Sequence, residues 1–412
     1  METVYTCCAG LDVHKKTVEC CVRRRESDGS LHTQTRHWGT MTEDLLELAE
    51  SLRAQGVTHV VMESTGVFWK PIYNILESRF TVWLVNAQHV KQVPGRKTDQ
   101  RDCQWLAQLL QYGLLRPSFI PPRWQRDLRD LTRERTQLVG EKTRVANRMH
   151  KVLEDANIKL GSVASDILGA SGRDMIAALI GGEEDPRQLA ELARQRLRGK
   201  IPELQRALRG EVREHHRFQL QLLWDQLRQV ESLIARLNTK IAELTKPYRE
   251  QIQRIVEIHG IEQRVAEVLI AEVGVDLSPF PSQGHLCSWA GLCSGNHESA
   301  GKRRSGKTTK GSRWLRQALV QAAWAASHTK GTYLAARYRR LAGRRGKKRA
   351  LVAVAHSLLI IVYHVLKEGT RYHDLGGAYL DRLNPERLRR YLVGRLERLG
   401  YQVTLQPITE AA

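Results

Sequence analysis

Four acidic residues in the first quarter of the chain could act together on a phosphodiester. Asp12 lies late in the first predicted strand and Glu63 ends the fourth, whereas Asp99 and Asp102 are three residues apart where a helix is predicted to begin. Carboxylates a few ångströms apart raise one another's pKa unless cations balance them. Hard oxygen ligands of this kind suit Mg²⁺, and Mn²⁺ would serve too. Two such ions can hold both the attacking and the leaving oxygen of a phosphodiester, so the set predicts a metal-dependent reaction on nucleic acid.

Each acid also has a purely structural explanation. A carboxylate in a first helical turn, such as Asp99 or Asp102, caps exposed N–H groups and stabilises the helix by about 0.3–1 kcal/mol. Asp12 precedes the turn-like VHKK, and Glu63 precedes an STG that could begin a helix. His14 is interpreted as structural or phosphate-facing rather than as a metal ligand. Capping and metal binding are compatible, and the four acids taken together favour the metal site.

The elements that must bring these acids together alternate along the first part of the chain. Strands are predicted at residues 4–13, 17–24, 35–40, 58–64 and 81–87, and helices at 42–56, 66–78 and from 95 onward. The order β-β-β-α-β-α-β-α is that of an RNase H-like α/β domain, predicted here over residues 1–120. In such a sheet, the strand ends that carry Asp12 and Glu63 meet beside the last helix.

The charge of the chain predicts a polyanionic partner. Its 412 residues include 65 Lys and Arg against 44 Asp and Glu, a formal net charge of +21. The basic residues are spread along the whole sequence, which favours a nucleic acid that contacts several domains over a small acidic substrate.

Cysteine spacing and hydropathy predict a reduced protein of the cytoplasm with no membrane partner. The seven cysteines contain no Cys-x-x-Cys pair, so neither a zinc site nor a disulfide framework is expected. The first residues lack the basic and apolar regions of a signal peptide. The most apolar run, residues 350–366, is interrupted by His356, Ser357 and His364 and is interpreted as a buried helix.

A helical, coiled-coil region is predicted over residues 121–247. Pro117, Pro121 and Pro122 mark a linker, and apolar residues then recur at heptad spacing along two segments. The first series is interrupted at Arg135 and Lys142, and the second is continuous. These are Leu128, Leu131, Leu138, Val145, Met149 and Val152, and then Leu220, Leu223, Leu227, Val230, Ile234, Leu237, Ile241 and Leu244. The two helices could pair within one chain or across a dimer.

A third, all-α region is predicted over residues 248–370, followed by a tail at 371–412. It opens with two helical segments around a glycine turn, either a phosphate-binding helix-hairpin-helix or an ordinary helical hairpin, since Glu262 stands where a second glycine is usual. A loop rich in Gly, Ser and cations follows. It contains Ser294, Ser299 and Ser305, and its chemistry alone does not say which of them is a nucleophile.

Nine basic residues are candidates for contact with nucleic acid. Three flank the predicted acidic site and six belong to the loop and the helix that follows it, although a solvated basic surface would also explain them. They are Lys70, Arg96, Lys97, Lys302, Arg303, Arg304, Lys307, Lys310 and Arg313.

The motifs themselves resemble a known family. GLDVHKKTV, ESTGVFWKPIYNILE, VNAQHVKQVPGRKTDQRD and AGLCSGNHESAGKRRSGKTTKGSRWLRQAL are similar to the DEDD transposases of the insertion-sequence one-ten family, which are related to the Piv invertases. The similarity runs from the first strand to about residue 370. It departs at Ser294, where relatives often have proline, and at Glu262.

The resemblance implies a function and a site. It implies a prokaryotic, nucleoid-associated DNA recombinase with a RuvC-like domain, a coiled coil and a C-terminal transposase domain. Its acidic tetrad falls on Asp12, Glu63, Asp99 and Asp102, and its catalytic serine, which follows a pair like His297-Glu298, falls on Ser299.

The resemblance also implies partners. These are donor and target DNA, a bridge RNA that pairs with both, and a dimer that assembles into a tetramer in which the acids of one protomer meet the serine of another. Ser299 would then form a phosphoserine link to DNA and leave a free 3′-hydroxyl.

Two rival functions remain at this point. A RuvC-like junction resolvase would hydrolyse DNA with metal-activated water and need no serine. A non-catalytic packaging protein would need only the charge and the coiled coil, but it would not gather four acids where they repel phosphate.

Overall fold

The computed structural model describes residues 2–64, 66–94, 101–295, 297–299 and 301–406, and the side chains of all these except residues 88, 297–299, 303 and 304. The chain divides into two compact units, Met1–Pro121 and Pro122–Ala412. The finer boundaries at residues 247 and 370 stay predictions.

The first unit is a mixed α/β domain built on a five-stranded sheet. Its strands are β1 (Cys7–Val13), β2 (Thr17–Arg25), β3 (Leu31–Gly39), β4 (His59–Glu63) and β5 (Thr81–Val85). Their order across the sheet is β3-β2-β1-β4-β5, with β1, β2 and β3 antiparallel and β4 and β5 parallel to β1. This arrangement is consistent with the predicted RNase H-like fold.

In the described part of this unit, four helices accompany the sheet: α1 (Thr42–Ala54), α2 (Trp69–Leu76), α3 (Ala87–Gln92) and α4 (Asp102–Gln111). Pro71 is tolerated because it lies in the first turn of α2, where backbone N–H groups have no partner within the helix. The short α3 was not predicted, and α4 begins at Asp102, later than the sequence suggested.

Strand ends were the least accurate part of the prediction. β3 starts at Leu31, four residues before the predicted start, because its first half is exposed on both faces and lacks the alternation that marks a half-buried strand. β1 starts at Cys7 rather than at residue 4.

The sheet has an apolar core on each face. Leu11, Val60 and Met62 face a core shared with α1 and α2. Cys8 and Val61, whose side chains point to the opposite face, pack with residues of α4. Because side chains alternate along a strand, Asp12 and Glu63 belong to the face that α4 covers.

Gly10 sets the distance between α4 and the sheet. A Cβ atom built on Gly10 would lie 2.3 Å from the carbonyl oxygen of Cys103 and 2.5 Å from the backbone nitrogen of Ala107. The backbone of α4 therefore lies directly on β1, and the first residue of the helix is brought close to the end of that strand.

The described residues of the second unit form helices and one hairpin. Its helices are α5 (Arg123–Asp155), α6 (Leu160–Val163), α7 (Ala170–Ile180), α8 (Pro186–Glu191), α9 (Ile201–Ala207), α10 (Glu214–Thr245), α11 (Arg249–Val256), α12 (Gln263–Val273), α13 (Gln283–Trp289), α14 (Arg313–His328), α15 (Tyr333–Arg345), α16 (Lys347–Glu368), α17 (Tyr379–Arg382) and α18 (Pro385–Glu397). Short 3₁₀ segments occupy Gln195–Lys200 and Lys246–Tyr248, and the hairpin strands are β6 (His297–Ser299) and β7 (Lys302–Ser305).

The two long helices α5 and α10 pack against each other within one chain. Leu138 packs on Val230 and Ile234 at one level of this pair, and Val145 and Met149 belong to a larger core at another. Residues between the two helices fold into α6 to α9 and contribute to that larger core.

Both charged interruptions of the first heptad series form ion pairs. The Arg135 guanidinium is 2.5 Å from a Glu267 carboxylate oxygen on α12, and the Lys142 ammonium is 2.7 Å from Glu231 on α10. These residues therefore connect α5 to two different helices at positions where apolar residues would otherwise lie in the seam.

The apolar run predicted as a buried helix is α16. Within the described residues, this helix alone is long and apolar enough to cross a membrane, with a mean hydropathy of 1.9. Residues such as Val354, Leu358 and Val362 are fully buried, and α16 packs on α14, α15 and α13. It therefore serves as a core helix of the second unit.

Candidate active site

Strand register brings Asp12 and Glu63 to one edge of the sheet. Leu11 of β1 pairs with Met62 of β4, so the next residue on each parallel strand is an acid. Both side chains are partly buried. The two carboxylates therefore belong to neighbouring strand ends and to the face that α4 covers.

Asp102 lies at the first position of α4 and is exposed. Burial raises the pKa of Asp12, and the carboxylates of Asp102 and Glu19 raise it further, while His14, 3.2 Å away, opposes them. The structure thus brings Asp12 and Asp102 within electrostatic range of each other. Their mutual repulsion is the property expected of carboxylates that share a cation.

Glu19 is an acid that sequence reasoning missed. It pairs directly with Asp12 across the β1–β2 hairpin, and its carboxylate is 3.5 Å from His37 and 4.0 Å from Arg101. The signal was available, since two strands joined by a short turn place residues at equal distances from the turn opposite each other. Glu19 adds negative potential beside the predicted tetrad.

Three predicted residues of this site, Arg96, Lys97 and Asp99, lie outside the described residues. Lys70 lies in the first turn of α2, with an exposed side chain. The described part of the site is therefore the group Asp12, Glu63 and Asp102 with Glu19 beside it.

Ser299 occupies the end of a hairpin strand. It pairs with Lys302 across the β6–β7 hairpin, and Gly301 in the connecting turn has a φ of +72°, a conformation that glycine adopts without strain. The backbone of Ser299 is thus held beside a tight turn, next to a lysine.

The base of this hairpin is fixed to α14. Arg316 donates hydrogen bonds of 2.8 Å to the Gly291 carbonyl and 2.7 Å to the Thr309 carbonyl, one on each side of the hairpin. A Cβ atom on Gly311 would lie 2.4 Å from the Ala290 backbone, so the two limbs approach as closely as backbone allows.

The start of α14 is anchored in turn to a buried glutamate. The Ser312 hydroxyl accepts a hydrogen bond from the Leu315 N–H as the helix N-cap, and donates one of 3.0 Å to Glu272. Glu272 also accepts two hydrogen bonds from Arg133 of α5, at 2.7 and 3.0 Å. The serine hairpin is therefore supported by a rigid polar network.

The loop cations face solvent where their side chains are described. Lys302, Lys307, Lys310 and Arg313 are exposed. Arg303 and Arg304 are placed by their backbone on β7, and their side chains lie outside the described part. An exposed basic loop around Ser299 suits contact with phosphate groups.

Comparison with known proteins finds family matches over both regions that contain the candidate residues. Residues 9–158 match the DEDD domain model of IS110 transposases, described as a transposase, and residues 252–339 match the transposase IS116/IS110/IS902 family. The two matches together cover more than half of the chain. The chain belongs to the IS110 transposase family. It is also 25% identical over 324 residues to the transposase for insertion sequence element IS1111A of Coxiella burnetii (strain RSA 493 / Nine Mile phase I), covering 76% of this chain and 79% of the relative.

Membership makes this IS110-family transposase a DNA-cutting and DNA-joining enzyme, and such DEDD enzymes use a divalent metal. The donor set fits a hard cation, since Asp12, Glu63 and Asp102 offer only carboxylate oxygens. Repulsion from neighbouring carboxylates also contributes to the raised pKa of Asp12, and a bound cation would offset it. The acids do not form a group of three with all ligand atoms within 4.8 Å of one another among the described residues.

A second cluster in the transposase is explained without a metal. Asp155, His215 and His216 have ligand atoms within 4.8 Å of one another. However, His216 accepts a hydrogen bond from the Arg213 N–H at Nδ1, 3.2 Å away, and its Nε2 is 2.8 Å from Asp155. One ring nitrogen accepts from the backbone N–H at the start of α10 and the other donates to Asp155, so a metal would have to displace one of these hydrogen bonds.

Proposed function

We propose that this transposase cuts and exchanges DNA strands through a covalent phosphoserine at Ser299, supported by carboxylates at Asp12, Glu63, Asp99 and Asp102. The observation that carries the proposal is the convergence of Asp12 and Asp102, whose carboxylates interact across the junction of β1 and α4. A strongly basic protein has no structural need for several acids at one end of its sheet, where they repel the phosphate groups that the rest of the surface attracts.

Ser299 is the proposed nucleophile. Its hydroxyl loses a proton, its Oγ forms a bond to phosphorus, and the bond from phosphorus to the 3′-oxygen breaks; that oxygen takes up a proton and becomes a free 3′-hydroxyl. The 3′-hydroxyl of another strand then attacks the phosphoserine and releases the serine. The phosphodiester count is unchanged, so strand exchange needs no ATP.

The carboxylates of Asp12, Glu63, Asp99 and Asp102 are the proposed ligands of Mg²⁺, or of Mn²⁺. When bound, the cation supplies charge neutralisation at the phosphate and polarises the bond that breaks. The protein contributes the placement: Gly10 holds α4 against β1, and strand register sets Glu63 beside Asp12.

A guide RNA and an oligomer complete the proposal, and both rest on the family resemblance. The net charge of +21 suits simultaneous binding of DNA and RNA. The acids and the serine belong to separate units of the chain, which suits an assembly in which two protomers each supply part of one site.

The test is to trap the covalent link in cells. The full chain is expressed with the DNA that flanks its gene on both sides, captured under denaturing conditions, and examined for bound DNA and for the modified residue by mass spectrometry. We expect DNA linked to Ser299 in the wild type and no linked DNA in Ser299→Ala. Ser294→Ala and Ser305→Ala should still form the link, with a yield reduced only as far as their DNA binding is weaker.

Two further measurements separate the rivals. Full cleavage without any protein–DNA link in Ser299→Ala would identify a resolvase that uses water. RNA recovered under native conditions should include one defined species encoded beside the gene, and its digestion should abolish sequence-specific cutting; undiminished cutting would remove the guide RNA from the proposal.

A further inference from the structure

A cleft in the second unit lies beside the serine hairpin. It has a volume of about 1130 Å³ and opens between the limbs of the hairpin, at Ser294 and Ser305, and the junction of α15 with α16. Arg345, Lys348 and Arg349 line it at that junction. We call it the α15–α16 cleft.

The charge of the α15–α16 cleft is of one sign. Among the residues whose side chains are described, its lining contains six cationic residues and no carboxylate: Lys307, Arg316, Arg337, Arg345, Lys348 and Arg349. Elsewhere in the same unit, arginines such as Arg133 and Arg173 are paired with glutamates. Like charges gathered without counter-ions destabilise a folded protein, so an anionic ligand is the simplest reason for the cluster.

Several lysine and arginine side chains of the cleft have donors that make no hydrogen bond or ion pair within the described residues. Within the described residues, Arg345, Lys348 and Arg349 are exposed and form no ion pair, and the buried Nε atoms of Arg316 and Arg337 have no hydrogen-bond partner. Arginine donors left unmet at the wall of a cleft match the several oxygens of a phosphodiester, which guanidinium groups bind through paired hydrogen bonds.

The cleft lies close to Ser299 along the hairpin. Ser305, at the edge of the cleft, pairs with His297 on the neighbouring strand β6, and Ser299 is two residues after His297 on β6. Two residues of strand span at most about 7 Å, and the register of this strand shifts between His297 and Glu298. An anion in the cleft would therefore lie close to the group that Ser299 is proposed to attack, but not at it.

We infer that the α15–α16 cleft binds the DNA phosphodiester backbone next to the phosphate attacked by Ser299, with Arg345, Lys348 and Arg349 as contacts. This inference rests on the proposed function for the position of the cut, and adds a binding subsite made by α15 and α16. The subsite holds the flanking strand while the serine reacts, so it contributes to DNA binding rather than to the chemical step.

The test compares two triple variants of the full chain. Arg345→Gln/Lys348→Gln/Arg349→Gln removes three charges from the cleft, and Arg228→Gln/Arg236→Gln/Lys240→Gln removes three exposed charges from α10. Binding of one labelled sequence, as single-stranded DNA and as single-stranded RNA, is measured against salt concentration. Matching circular dichroism spectra and unfolding midpoints verify that both variants fold.

The salt dependence gives the expected size of the effect. Loss of three phosphate contacts to single-stranded DNA lowers the slope of log K against log salt by about 2, equivalent to about a hundredfold weaker binding at 0.1 M salt. The α10 variant should keep the wild-type slope. An unchanged DNA slope in the cleft variant, or a loss confined to RNA, would overturn the inference.

Two controls separate this inference from the proposed function. Ser299→Ala should bind DNA with the wild-type slope although it forms no covalent link, and the cleft variant should regain link formation at high DNA concentration. If the wild-type protein forms no link at all, the proposed function fails while the salt slopes still decide whether the cleft binds DNA.

Discussion

The pKa of Asp12 reflects its burial and the acids around it. Burial and the carboxylates of Asp102 and Glu19 raise its pKa, and a nearby His14 does not reverse the shift. At neutral pH the ionised Asp12 therefore opposes folding of the metal-free protein, and a bound cation would remove that opposition.

Asp12→Asn should accordingly stabilise the metal-free protein. Because the substitution removes a repelled charge, we expect the unfolding midpoint in chelator to rise by about 2–4 °C, equivalent to about 1 kcal/mol. Mg²⁺ should raise the midpoint of the wild type but not that of Asp12→Asn, because a ligand that binds only the folded state stabilises it. Differential scanning fluorimetry in EDTA and in Mg²⁺ measures both effects.

Glu47→Gln is the control for charge alone, since Glu47 is an exposed acid on α1. It should leave the response to Mg²⁺ unchanged. An equal response to Mg²⁺ in Asp12→Asn and the wild type would argue against a cation on this carboxylate.

At the scale of single residues, sequence reasoning worked where strand order decided the answer. It placed Asp12 and Glu63 together because neighbouring parallel strands have their carboxyl ends on the same side of the sheet. It missed Glu19 because that position depends on the register of a hairpin, and it missed the partners of Arg135 and Lys142 because these belong to helices distant in sequence.

At the scale of elements, the heptad pattern predicted the long helices but not the ion pairs that their charged residues form. Arg135 is 4% exposed and Glu267 is 7% exposed, so their ion pair connects α5 to α12 within the protein interior. Gln263 donates a further hydrogen bond to Glu267. Whether the helices pair in one chain or two was undetermined in the sequence, because a heptad seam fits either partner.

Arg135→Met should be strongly destabilising because it leaves the Glu267 carboxylate buried without a counter-charge. We expect a loss of about 3–5 kcal/mol in the free energy of unfolding, and recovery of most of it in Arg135→Met/Glu267→Met, since apolar pairs replace buried ion pairs well. Urea unfolding followed by circular dichroism measures this. Arg144→Met, at an exposed site on α5, should change the value by less than about 1 kcal/mol; a double variant as unstable as the single one would contradict the account.

The Glu231 ion pairs should make the stability of the helical unit depend on pH. Hydrogen bonds from Arg173 and Lys142 lower the pKa of Glu231 below its ordinary 4.5. A lowered folded-state pKa gives stability that is present above the ordinary pKa and is lost as the pH falls through the folded value. Glu231→Gln should therefore be less stable than the wild type at pH 7, by an amount on the order of 1 kcal/mol.

The difference between Glu231→Gln and the wild type should shrink as the pH falls below 4.5, because protonation removes the same charge from the wild type. Glu243→Gln provides the comparison, since Glu243 is exposed and its ion pair is with Lys240 of the same helix. A gap between Glu231→Gln and the wild type that stays constant between pH 7 and pH 4 would rule out an ionic origin.

At the scale of the whole molecule, the order of the chain separates the residues proposed to react. The acids belong to Met1–Pro121 and Ser299 to Pro122–Ala412, with the α5–α10 pair between them in the chain. Because α5 and α10 pair within one chain, seam residues such as Leu138 and Val230 are buried in that pairing. The family matches likewise fall on residues 9–158 and 252–339, on either side of α10.

If the acids of one protomer act with the serine of another, two inactive variants should restore each other. Asp102→Asn retains Ser299 and Ser299→Ala retains the acids, so a mixed dimer contains one complete composite site and one that lacks both groups. Random mixing in equal amounts should give about a quarter of the wild-type yield of protein–DNA link, because half of the dimers are mixed and each has one working site of two. Coexpression of two differently tagged chains, followed by denaturing capture of each tag, measures this, and the DNA should be found on the Asp102→Asn chain. Absence of any link in the mixture, with both chains shown to associate, would place the acids and the serine of each site in the same protomer.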